Sequence, residues 1–192
     1  MENVREPLMG CRFSLAVMSD AYAEMILGAL GNVDTQRIQS TTDALSTTYF
    51  GKRNHVLEAM RDCFVNVNDG KTHITMEATL STGWHGSDTE TFPESDVILK
   101  LTGANFNVIG KAAFYSPGTA AHEITHVIDM AKNRGLFVKE SFCAIELAGG
   151  VNELFDYFNE VMAYAQMHEG HFVLQATLSV NSPSTIKGGK IV

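Results

Sequence analysis

Apolar residues alternate with small or polar ones through Cys11-Arg12-Phe13-Ser14-Leu15-Ala16-Val17. That period of two is the mark of a strand with one buried face. The period then changes: Tyr22, Met25, Ile26, Ala29 and Leu30 recur at helical spacing. Ser19-Asp20 offers an N-cap for this helix and Gly31-Asn32 closes it. Two runs rich in strand-forming residues follow at 37–41 and 45–50, with Asp43 near the turn between them. Val56, Leu57, Met60 and Phe64 stripe a second helix that stops before Asn68-Asp69-Gly70. Alternation returns over 73–81, with Ile74, Met76, Ala78 and Leu80 on one face and His73, Thr75, Glu77 and Thr79 on the other. The predicted order is βαββαβ.

The same order is predicted again downstream. Residues 111–116 read as a strand, and Ile124, Val127, Ile128 and Ala131 as a helix ended by Gly135. Strands follow at 137–140 and 142–147. Val151, Leu154, Phe155, Phe158, Val161, Met162 and Ala165 stripe a helix, and 172–179 is the last strand. The copies also echo each other in letters. His73-Ile74-Thr75-Met76-Glu77-Ala78-Thr79-Leu80-Ser81 returns 98 positions on as His171-Phe172-Val173-Leu174-Gln175-Ala176-Thr177-Leu178-Ser179, and Gly51 and Asn54 return as Gly149 and Asn152. A period near half the chain is too long for a solenoid, whose units run about 20–50 residues. It fits a duplicated α+β fold: two tandem ferredoxin-like repeats, each a four-stranded antiparallel sheet with two helices on one face. The predicted division is a first repeat over 1–82, an acidic linker over 83–107 that is a candidate cover for a site, and a second repeat over 108–192.

Composition narrows the function. Hydrophobic residues make up 45% and charged residues 19% of the 192, an ordinary globular balance. A net charge of −8 offers no basic stripe for phosphate backbones, which argues against nucleic acid. Cys11, Cys63 and Cys143 are odd in number and lack CxxC spacing, so no disulfide framework is expected. The first residues carry no basic region followed by an apolar run, and no stretch approaches the roughly 18 apolar residues of a membrane span. The expected location is the cytoplasm.

One motif suggests an enzyme. His122-Glu123-Ile124-Thr125-His126 matches HExxH, in which two histidines one helical turn apart bind zinc and the glutamate acts as general base. On a helical wheel, however, both histidines fall opposite the stripe Ile124/Val127/Ile128/Ala131, and so are expected to face solvent. Asp129 and Lys132 stand where an extended zinc-protease motif needs glycine and a third histidine. The first copy has no trace of the motif. No Ser/His/Asp, Cys/His or paired-carboxylate set recurs in both copies, and no glycine-rich phosphate loop follows a strand. Neither a catalytic residue nor a cofactor is expected.

If both helices cover one sheet face, the other needs a ligand or a partner. Strand parity and the adjoining turns assign candidates to it: Arg12, Ser14, Asp43, Ser46, Thr48, His73, Thr75 and Glu77 in the first copy, and Tyr115, Ser141, Glu146, His171 and Gln175 in the second. Hydroxyls, a histidine and a carboxylate in an apolar frame suit a polar heterocycle. The second face, which also carries Ala113, Ala144 and Val173, is the more apolar, so two sites would not be equivalent.

Arg12-Phe13-Ser14-Leu15, Met18, Thr42-Asp43-Ala44-Leu45-Ser46-Thr47, Gly86-Ser87-Asp88-Thr89, Gly135-Leu136-Phe137-Val138 and Asn181-Ser182-Pro183-Ser184 resemble the YkoF family of thiamine- and hydroxymethylpyrimidine-binding proteins. The resemblance runs through both repeats. It implies a cytoplasmic homodimer with two ACT-like ferredoxin folds per chain that binds thiamine through its pyrimidine, one site per repeat, in uptake or salvage of the vitamin. It implies no enzymatic activity. Segment 111–117 departs from the family pattern as a strand shortened into its helix, which bears on the second site. The alternatives are a zinc hydrolase built on His122, Glu123 and His126, and an ACT-type regulatory module for another small metabolite.

Overall fold

A computed structural model describes residues 8–82, 92–93, 99–116, 121–168 and 171–184. The first half runs β1 (Leu8–Val17), α1 (Tyr22–Gly31), β2 (Gln39–Thr42), β3 (Thr47–Lys52), α2 (Arg53–Val67) and β4 (Ile74–Thr82). The second runs β5 (Asn107–Tyr115), α3 (Ala121–Asn133), β6 (Phe137–Ser141), β7 (Ala144–Gly150), α4 (Val151–His168) and β8 (Phe172–Val180). Each half therefore has the order βαββαβ.

The halves do not keep separate sheets. All eight described strands form one antiparallel sheet in the order β2-β3-β1-β4-β8-β5-β7-β6. The join is β4 against β8, paired from Ile74↔Val180 to Thr82↔Phe172. An edge strand with free N–H and C=O groups is a pairing hazard, and here each repeat covers the other's edge.

The four described helices pack as one layer, α1 on α2, α2 on α4 and α4 on α3, against one face of this sheet. Cross-strand partners share a face, and the buried partners Phe13↔Ala78, Met76↔Leu178, Leu80↔Leu174, Ala112↔Ala176 and Ala112↔Ile145 mark the covered side. Arg12, Ser14, Glu77, Gln175 and Lys111 lie on the other side and are exposed. The strands inside the sheet bury one face and expose the other, which is why the alternation was legible, while the edge strands β2 and β6 bury no residue.

Several boundaries differ from those predicted. Strand β3 starts at Thr47, because the Asp43 carboxylate accepts the Leu45 and Ser46 backbone N–H at 2.8 and 2.9 Å and turns 43–46 into a loop. Strand β7 starts at Ala144, after a turn in which Cys143 takes φ 59°. Helix α2 begins at Arg53, directly after β3. The predicted shortening of segment 111–117 is corrected. Strand β5 spans nine residues from Asn107, held by β7 along Asn107–Ala112 and by β8 along Ile109–Tyr115.

Of the proposed linker, residues 99–106 lie along the helix layer, away from the open sheet face. Leu99 is buried in the core. Glu58 accepts the Lys100 N–H at 2.9 Å, and the Arg61 guanidinium donates to the Lys100 carbonyl. Asn152 acts like a strand edge: its Oδ1 accepts from Thr102 N at 3.1 Å, and its Nδ2 donates to the carbonyls of Thr102 and Ala104. Phe92 packs edge-on against Phe50, ring centroids 5.6 Å apart. The Gly86–Thr89 likeness lies outside the described residues. Cys11 and Cys63 are free and buried and Cys143 is free and exposed. Burial pushes the Cys63 thiol up to about 12.

Candidate functional site

The open sheet face carries a cavity of about 230 Å³ over β1, β4 and β8. Arg12 and Ser14 come from β1, Glu77 and Thr79 from β4, Gln175 and Thr177 from β8, and the turn residues Leu45 and Ser46 form one wall. Alternation puts these side chains on the solvent side, because their neighbours Phe13, Ala78 and Ala176 are held in the core. Ser14 faces Glu77 across β1–β4, and Thr79 faces Gln175 across β4–β8. Glu77 and Gln175 are thus diagonal neighbours across the join, within about 7–8 Å of each other and both able to reach a small ring between them. Five of the thirteen candidate residues meet here: Arg12, Ser14, Ser46, Glu77 and Gln175.

A second hollow of about 180 Å³ adjoins the first, lined by Ser14, Leu15, Ile26, Leu30 and the turn 42–47. Asp43 belongs to this turn. Its carboxyl is held below the usual carboxylate range by the Leu45 N–H, then the Ser46 N–H, with Arg12 contributing least. Asp43 shapes the wall that carries Ser46.

The remaining candidates sit elsewhere. Thr48 is exposed on β3 opposite Arg12, and Thr75 lies on β4 opposite Ser179; neither lines the cavity. Tyr115 and Ser141 end β5 and β6 away from it. Glu146 is committed to ion pairs with Lys111 and Lys139, both at 3.4 Å. His73 and His171 pin the join between the halves. His73 Nε2 is hydrogen-bonded to Ser179 Oγ at 3.1 Å, and His171 Nδ1 donates to the Thr82 carbonyl at 2.8 Å. They occupy equivalent places at that join but make different contacts, through different ring nitrogens. Thr79 and Thr177 were missed; the signal available was the equal length and polar outer face of the echoing strands.

The two halves present different chemistry around this axis. Lys111 opposite Thr177 is the counterpart of Arg12 opposite Thr79, and Ala113 opposite Gln175 is that of Ser14 opposite Glu77. Ser46 corresponds to Ala144. The second half therefore loses two hydroxyls and one carboxylate, and its cation is already paired.

The HExxH segment lies in α3, with His126 exposed and the side chains of His122 and Glu123 outside the described residues. His126 does not simply face solvent. Its ring lies 4.4 Å from that of Tyr164, which also stacks with His168 at 4.2 Å. Among the described residues no three His, Cys, Asp or Glu side chains stand close enough to hold a metal ion, and no described helix is long and apolar enough to cross a membrane.

The chain is thus an α+β protein whose single sheet is covered by helices on one face and carries a small polar cavity on the other. The chain belongs to the YKOF-related family, whose model matches residues 8–87 and 121–185. A relative from Bacillus subtilis (strain 168), named "Putative HMP/thiamine-binding protein YkoF", is 29% identical over 189 residues, covering 92% of each chain.

Proposed function

We propose that this chain binds hydroxymethylpyrimidine, free or as part of thiamine, without transforming it. The tight site is the cavity over β1, β4 and β8. The observation that carries this reading is the convergence of Ser14, Ser46, Glu77 and Gln175 on about 230 Å³ of open sheet face. Pockets for drug-sized ligands run about 300–1,000 Å³, so this one suits a single heterocycle better. An aminopyrimidine offers an amine donor and ring-nitrogen acceptors. Glu77 is placed to accept from the amine, the Gln175 amide to donate to a ring nitrogen, and the two serines to complete the set. The name of the Bacillus relative supports the ligand class.

The strand order β2-β3-β1-β4 and its mirror in the second half support reading the halves as two ferredoxin-like domains, 1–82 and 108–192. The cavity draws Gln175 and Thr177 from the second half, so the tight site belongs to both repeats rather than to one. A homodimeric state, a cytoplasmic location and a role in uptake or salvage of the vitamin rest on the family resemblance.

Calorimetric titration with hydroxymethylpyrimidine and with thiamine tests the reading. Stranding one partner of a desolvated polar heterocycle costs about 1–3 kcal/mol. Ser14→Ala combined with Glu77→Gln is expected to weaken both ligands at least tenfold. Unchanged affinity would refute the assignment.

A further inference from the structure

The guanidinium of Arg12 is the feature of the cavity that a neutral aminopyrimidine leaves unused. It is exposed on the cavity floor, and no hydrogen bond or ion pair within the described residues engages it. Asp43, the acid that feels its charge, is committed to the Leu45 and Ser46 N–H groups. The contrast with the other half sharpens the point. The counterpart Lys111 is ion-paired to Glu146 at 3.4 Å, a carboxylate that Lys139 shares at the same distance, whereas Arg12 has no such partner among the described residues.

Position gives the ligand class. Arg12 faces Thr79 while Ser14 faces Glu77, so Arg12 and Glu77 are diagonal neighbours on one face. Diagonal cross-strand positions lie about 7–8 Å apart, within reach of two substituents of a single small ring. The hollow thus presents a hydrogen-bond-accepting carboxylate and an anion-binding fork side by side, with Ser14, Ser46 and Thr79 supplying hydroxyls between them. Guanidinium binds phosphate through paired charge-assisted hydrogen bonds. We infer that the site prefers the phosphate monoester of the hydroxymethylpyrimidine, with its amine toward Glu77 and its phosphate on Arg12. In hydroxymethylpyrimidine the amine and the hydroxymethyl group sit on adjacent ring carbons, which matches the two side chains. This inference rests on the proposed function, and it sets a cationic thiazolium beside Arg12 at a disadvantage.

The test is calorimetric titration of the full chain with hydroxymethylpyrimidine, its phosphate monoester and inorganic phosphate. The ester is expected to bind at least tenfold more tightly than the alcohol, with inorganic phosphate far weaker than either. Arg12→Gln is expected to collapse that ratio to near one, and Lys111→Gln to leave it in place. If the alcohol binds and the ester binds no better, or if the preference survives Arg12→Gln, the inference falls and the pyrimidine reading stands. If neither compound binds, both fall together.

Discussion

Ala78 and Ala176 face each other at the centre of the β4–β8 ladder, and each is the repeat counterpart of the other. The 98-residue offset carries Ile74↔Val180 onto Thr82↔Phe172 and Met76↔Leu178 onto Leu80↔Leu174. A local two-fold axis therefore passes between the two alanines. The candidate cavity lies over this axis, and the residues that break the symmetry are those that give it its chemistry.

One consequence is cooperative unfolding. The halves share a sheet, and α2 meets α4 through Arg53, whose guanidinium donates to Asn159 at 2.8 Å and to Gln166. Met76 is fully buried, so Met76→Asp buries an unpaired charge at a cost of about 3 kcal/mol or more. Urea denaturation followed by far-ultraviolet circular dichroism and by side-chain methyl signals of both halves is expected to show one transition, shifted as a whole by Met76→Asp. Loss of the first half alone would mean independent domains. Thr75→Leu, on the open face, is expected to be tolerated; the opposite pattern would put the register off by one.

A second prediction concerns α3. His126 stacks on Tyr164 at an exposed position, so His126→Ala is expected to cost about 0.5 kcal/mol, the low end for aromatic pairs. Purified protein is expected to contain no stoichiometric zinc by elemental analysis. One zinc per chain, removed by this substitution, would favour the hydrolase alternative.

A third concerns acid. Asp69 accepts the Thr72 and Lys71 N–H groups at 2.7 and 3.0 Å and the Thr72 hydroxyl at 2.8 Å, bridging α2 to β4. These bonds favour the carboxylate and lower its pKa to about 2, the Thr72 N–H acting most. A depressed carboxyl adds stability above its unfolded pKa, and that stability is lost as pH falls through the folded value. The window is therefore from about 3.8 down to about 2. Carbon-13 titration of the Asp69 carboxyl should give a midpoint near 2; a midpoint at the ordinary value would contradict the turn geometry.

The element order was legible because buried faces impose a period of two on strands and 3.6 on helices. Phe13 and Met76 each sit between two polar neighbours, Arg12 and Ser14, and Thr75 and Glu77. The union of two sheets into one was not, because backbone pairing between β4 and β8 needs no particular side chain at an edge. Asp43 was legible as a turn residue, but its two backbone bonds, which delay β3 to Thr47, were not. Of the candidate site, Arg12, Ser14, Glu77 and Gln175 follow from strand parity alone, whereas Ser46, assigned by the same parity, lies in the turn before β3. Their meeting across the join does not, since parity assigns a face and says nothing of which strands are neighbours.

Amide chemical-shift mapping during titration with hydroxymethylpyrimidine tests the central claim most directly, because it locates the ligand without disturbing the site. The largest shifts are expected at Arg12 and Ser14, Leu45 and Ser46, Glu77 and Thr79, and Gln175 and Thr177 together, the residues that surround the cavity over the two-fold axis. Shifts centred instead on Tyr115, Ser141 and Glu146, or on the helix surface around His126 and Tyr164, would place the ligand elsewhere and contradict the account.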